Sequence, residues 1–117
     1  MKTNIKTTNL NMTPEIADYL DKRVSALDTF IEPDDTTAIC EVEIGKTTEH
    51  HKKGNIFRAE IQVSSKGNLF RGVSEKEKLF DAIDEARREV KRELRRHKNK
   101  NLTLLRRGGA SVKKLIP

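Results

Sequence analysis

The sequence has no tryptophan, one tyrosine and four phenylalanines in 117 residues. A surface that stacks successive single-stranded bases needs exposed rings, and a core needs most of Tyr19, Phe30, Phe57, Phe70 and Phe80. An extended aromatic platform is therefore excluded. Cysteine is nearly absent too: Cys40 stands alone, so no internal disulfide can form, which suits a reducing compartment. No apolar run approaches the length of a membrane span or a signal-peptide core. The chain reads as cytoplasmic, with no membrane partner.

The constellations of catalysis are missing as well. Glu41 and Glu43 share one strand face, but no nucleophile sits beside a base, and no glycine-rich loop is built to cradle phosphate. Gly108-Gly109 lacks the lysine and the spacing of a P-loop. His50-His51-Lys52-Lys53 has no second pair of ligands at metal-binding spacing, since Cys40 and His97 are distant in sequence. Cys40 alternates inward with Val42 and reads as core. The expectation is a protein that is not an enzyme, with no metal, no cofactor and no small-molecule substrate.

What is present is charge. Hydrophobic residues make up 34% of the chain and charged residues 36%. A single domain of this length then has a thin core. One sheet covered by helices on one face fits, because the open face stays polar.

The elements follow from pattern. Residues 3–8 are short and partly β-branched, a strand. Thr13-Pro14-Glu15 opens a helix with a favoured N-cap, a favoured first residue and an acid at the positive end of the dipole. Ile16, Leu20, Val24 and Leu27 form its apolar stripe, and Glu32-Pro33-Asp34-Asp35 ends it. Residues 37–44 alternate, with Ala38, Cys40, Val42 and Ile44 on one face. Residues 56–64 alternate with Phe57, Ala59, Ile61 and Val63 inward and Arg58, Glu60 and Gln62 outward. The polar stretch 47–55 joins these two as a hairpin, and Lys66-Gly67-Asn68 turns into a further strand over 69–73. These three strands predict an antiparallel meander. Ser74-x-x-Glu77 reads as a capping box for a last helix, whose apolar stripe is Leu79, Phe80, Ile83, Ala86, Val90 and Leu94. The fold class is α+β, in the order β-α-β-β-β-α: a four-stranded sheet with two helices packed on one face.

Charge is distributed unevenly along this framework. Residues 1–45 carry a balance of −5 and residues 46–117 one of +11, giving the net +6. Residues 86–117 hold twelve Lys or Arg against Glu89 and Glu93. Arg87, Arg88, Lys91, Arg92, Arg95 and Arg96 centre roughly 150° from the apolar stripe at helical spacing. A basic face opposite the core marks the side that meets a polyanion, and RNA is the expected one. The plain alternative is a solvated face supported by pairs such as Asp84–Arg88 at i,i+4, but two acids cannot neutralise the eight cations between Arg87 and Lys100. The candidate RNA-binding residues are Arg87, Arg88, Lys91, Arg92, Arg95, Arg96, Lys98 and Lys100. Secondary candidates are Lys52 and Lys53 at the hairpin tip, with Arg58 and Arg71. Past Lys100 the pattern loosens, so residues 1–100 read as the folded domain and residues 101–117 as a flexible basic tail. The tail holds Arg106-Arg107 and Lys113-Lys114, with Leu104-Leu105 and Leu115-Ile116 as small apolar clusters.

Several runs resemble the short ribosome hibernation factors, the family also labelled ribosome-associated inhibitor or sigma-54 modulation protein. They are residues 12–16 (Met-Thr-Pro-Glu-Ile), 54–61 (Gly-Asn-Ile-Phe-Arg-Ala-Glu-Ile), 79–84 (Leu-Phe-Asp-Ala-Ile-Asp) and 92–98 (Arg-Glu-Leu-Arg-Arg-His-Lys). The resemblance implies a fold related to double-stranded-RNA-binding domains. It also implies docking on the small ribosomal subunit, in the channel of mRNA and tRNA, with translation inhibited by steric competition and the protein monomeric off the ribosome. Two departures stand out: Glu89 occupies a position where the family often has Lys, leaving a gap in the stripe, and the chain is too short for the dimerisation domain of long members. Two other readings stay open, a general double-stranded-RNA-binding module and a protein-interaction regulator of a transcription factor.

Overall fold

A computed structural model describes residues 1–47 and 54–107, with side chains described as far as Asn101 in the last helix. The elements are β1 (Lys2–Thr8), α1 (Pro14–Ser25), a 3-10 segment (Ala26–Phe30), β2 (Ile39–Thr47), β3 (Ile56–Ser65), β4 (Asn68–Lys76) and α2 (Leu79–Arg107). They build one four-stranded sheet in the order β1-β2-β3-β4. β1 runs parallel to β2, with Ile5 opposite Val42. A parallel neighbour needs a crossover connection, and α1 supplies it. β2, β3 and β4 are the antiparallel meander that the alternation predicts.

Local chemistry accounts for the element ends. The Thr13 hydroxyl accepts the Ile16 N–H at 3.2 Å, and Pro14 takes the first helical position. Lys66 and Gly67 both adopt positive φ, 49° and 80°, in the tight turn between β3 and β4. Glycine takes that backbone without strain, and its neighbour is held there by the hairpin.

All buried side chains of the sheet point to one face. Cys40, Val42, Ile44, Ala59, Ile61 and Val63 meet Leu20, Val24 and Leu27 of the first helical segment and Ala82, Ile83, Ala86, Val90 and Leu94 of α2. The other face carries Glu41, Arg58, Glu60, Gln62 and Arg71. Gly72 marks a close approach: a Cβ there would lie 2.1 Å from the Ala86 carbonyl oxygen. Only a residue without a side chain lets α2 settle onto β4 at this point.

Two expectations are corrected. The capping box is not formed, because β4 continues through Ser74 to Lys76 and α2 begins at Leu79. Ser74 faces inward and its hydroxyl donates to Glu85 at 2.7 Å. Alternation carries the strand past Val73, since Gly72 and Ser74 are both buried small residues beneath the helix. The last helix also does not stop where the pattern loosens at Lys100, but runs on to Arg107. At about 1.5 Å per residue its 29 residues span about 43 Å. Among the described side chains of α2, Leu94 is the last buried one, and the helix runs thirteen residues past it, overhanging the sheet.

Candidate nucleic-acid interface

α2 is held at both flanks, and these ties decide which side chains face outward. On the α1 side, the Tyr19 hydroxyl donates to the Asp84 carboxylate at 2.6 Å, and Arg23 pairs with the same oxygen at 3.1 Å. The Tyr19 ring stacks on Phe80 with centroids 4.2 Å apart. Burial and the Asp84 hydrogen bond together raise the Tyr19 phenol above its ordinary value. Asp84 is thus engaged by α1 and is not the partner of Arg88 that helical spacing suggests. On the β4 side, Glu85 accepts from Lys76 and from Ser74 at 2.9 and 2.7 Å, and these bonds, Lys76 first, hold its carboxyl below the usual range. Glu89 accepts the Val73 backbone N–H at 3.1 Å.

With three of its acids turned to the flanks, the outward face of α2 is a cationic groove. Arg88, Lys91, Arg92, Arg95, Arg96 and Lys100 line it together, with Asn99 between them. Arg96 pairs with Glu93 at 3.2 Å on the exposed surface. Among the described residues the other five groove cations make no ion pair. Such unpaired cations along one helix face suit a phosphate backbone, and arginine's planar fork suits it bidentately.

The remaining candidates separate from this groove. Arg87 is half-buried on the flank, and its Nε lies out of solvent without a hydrogen-bond partner among the described residues. Lys98 reaches back to the Thr29 carbonyl at 3.5 Å. Arg58 and Arg71 lie on the opposite, open face of the sheet, and both bind Glu60, at 3.0 and 2.9 Å. Arg71 chiefly, helped by Arg58, holds the Glu60 carboxyl below its ordinary range against the opposing effect of burial. Lys52, Lys53 and the histidines beside them lie outside the described residues, as do residues 108–117 and the side chains of residues 102–107. The gap expected at Glu89 is absent, because that side chain points to β4. Asn99 is the groove residue that charge counting misses, although it stands four residues past Arg95 and seven past Arg92 on the same helical face.

Among the described residues no cluster of His, Cys, Asp or Glu is arranged to hold a metal, and no helix is long and apolar enough to cross a membrane.

A four-stranded sheet with two helices on one face, ordered β-α-β-β-β-α, defines the class of α+β protein. The model of the family described as sigma 54 modulation protein / S30EA ribosomal protein matches residues 3–101, and the chain belongs to that family. Among solved structures, the chain is similar to the N-terminal domain of Protein Y from Thermus thermophilus. That match has 30% identity and a TM-score of 0.69, covering 83% of this chain and 99% of that one. A ribosomal subunit interface protein from Coxiella burnetii shares the fold at 11% identity and a TM-score of 0.66, covering 85% of this chain and 99% of that one. No curated protein sequence matches the chain. Membership makes this a ribosome-associated protein.

Proposed function

We propose that the protein docks on the small ribosomal subunit through the outward groove of α2 and inhibits translation by occupying the channel of mRNA and tRNA. The observation that carries this reading is the groove itself, where Arg88, Lys91, Arg92, Arg95 and Lys100 share one helix face without ion pairs among the described residues. Such a face releases condensed counterions when it meets phosphate. Membership in a ribosome-associated family favours ribosomal RNA among the possible polyanions. Inhibition needs no catalytic group, because a rigid helix filling the channel excludes other occupants. The protein acts as a monomer in the cytoplasm, where ribosomes are. Residues 1–100 carry the docking surface, and residues 101–117 extend it with Arg106, Arg107, Lys113 and Lys114.

Co-sedimentation with separated ribosomal subunits tests the reading. Binding to the small subunit at low salt, with a log–log salt slope of about −4 to −5 for about six phosphate contacts, is expected. Equal affinity for any RNA duplex would favour a general shape-directed RNA-binding module. Failure to sediment with the small subunit at low salt would contradict the proposal and turn attention to a protein partner such as a transcription factor.

A further inference from the structure

Where α2 overhangs the sheet, a cleft opens beneath it on the side opposite the cationic groove. Its apolar lining comes from Phe30 and Ile31 at the end of the 3-10 segment and from Phe70 and Leu94. His97 and Asn101 project into it from α2 one turn apart, and the Asn101 amide nitrogen lies 3.3 Å from the imidazole Nε2. The imidazole stands edge-on to Phe70, with ring centroids 5.4 Å apart. Lys66 and Lys98 border the cleft, together with Glu32. The opening measures about 430 Å³.

We propose that this cleft is a binding site for one unstacked RNA base, taken from a strand that follows the α2 groove. Its chemistry fits a base better than an apolar side chain. Aromatic walls accept a flat ring, and an amide and an imidazole at the rim each offer hydrogen-bonding atoms to its edge. Lys66 and Lys98 suit the flanking phosphates, and the Glu32 carboxylate suits an exocyclic amine. Position points the same way. Lys98 and Asn101 line the cleft while Asn99 and Lys100 line the groove, so a strand leaving the groove reaches the cleft within one helical turn, about 5.4 Å. The scarcity of aromatic residues limits stacking to a single base here. The inference rests on the reading that α2 meets RNA.

The test uses the full chain and two ribose-phosphate strands of equal length and charge, one fully abasic and one carrying a single adenine, read by fluorescence anisotropy. One adenine should tighten binding about ten-fold, the size of one base–aromatic stack. Asn101→Ala, an exposed substitution, and His97→Ala should each remove that gain while leaving the abasic strand's affinity unchanged. Free adenosine should shift the amide resonances of His97 and Asn101. Equal affinity for the two strands, or adenosine shifts elsewhere than the cleft, would overturn the site. Failure of the groove reads differently: Arg92→Glu with Arg96→Glu would then leave abasic binding unaltered.

Discussion

The Glu89 carboxylate accepts the backbone N–H of Val73 at 3.1 Å, joining the middle of α2 to the edge strand β4. An edge strand leaves such donors unpaired, and an unpaired one is both costly and open to wrong pairing. An acid inside a basic helix is therefore a structural tie and not a break in the binding face. Glu89→Ala should cost about 2 kcal/mol in urea unfolding, the value of a hydrogen bond to a charged group. The salt slope of ribosome binding should stay the same, because no phosphate contact is removed.

At Gly72 the backbone of α2 lies hard against β4, and an added methyl would meet backbone, the Ala86 carbonyl oxygen at 2.1 Å. Neither partner can rotate out of the way. Gly72→Ala should destabilise by about 3 kcal/mol, the upper range for overpacking, measured by denaturant unfolding. Gly67→Ala makes a control of another kind, since nothing lies near its Cβ and its cost is the positive φ of 80° alone.

Asp35 accepts from the Ser65 hydroxyl, which ties the turn after the first helical segment to the end of β3, and also from the hydroxyl and N–H of Thr37. These bonds, Ser65 first, lower its carboxyl from 3.8 to about 2. A carboxyl depressed by folding stabilises the native state above its unfolded pKa. That contribution should fade as pH falls from 3.8 towards about 2. Ser65→Ala should reduce the pH dependence of thermal unfolding in this window and change it little near neutrality.

Cys40 is fully buried, and burial pushes its thiol up to about 11. The thiolate is the reactive form, so a thiol reagent at neutral pH should label the native protein no faster than the protein unfolds. Labelling should be complete in denaturant.

The fold was legible in the sequence because its period-2 and period-3.6 stripes do not compete. Val42 and Ile44 alternate with acids, and Ile83, Ala86 and Val90 repeat at helical spacing, so both core faces stand out. Ser74 misled because its spacing to Glu77 matches a helix cap, whereas the buried Gly72 and Ser74 that extend β4 have too little side chain to register as an apolar stripe. The basic face was legible as charge, but its true membership was not. Whether Arg87 and Lys98 join the groove depends on a few tens of degrees of helix rotation, set by Tyr19–Asp84 on one flank and Glu89–Val73 on the other. Both ties bridge elements far apart in sequence, and no local pattern announces them. The cleft beneath the overhang had no signal at all, since it assembles Phe30, Phe70 and His97 from three separate elements.

Co-sedimentation of the Arg92→Glu, Arg96→Glu variant with small ribosomal subunits tests the groove most directly. Both side chains are exposed and opposite the core, so circular dichroism and the unfolding midpoint should match the unaltered protein. Binding at low salt should fall sharply, with the log–log salt slope shallower by about 2. Undiminished binding with an unaltered slope, in a variant that is still folded, would contradict a role for the α2 groove in ribosome docking.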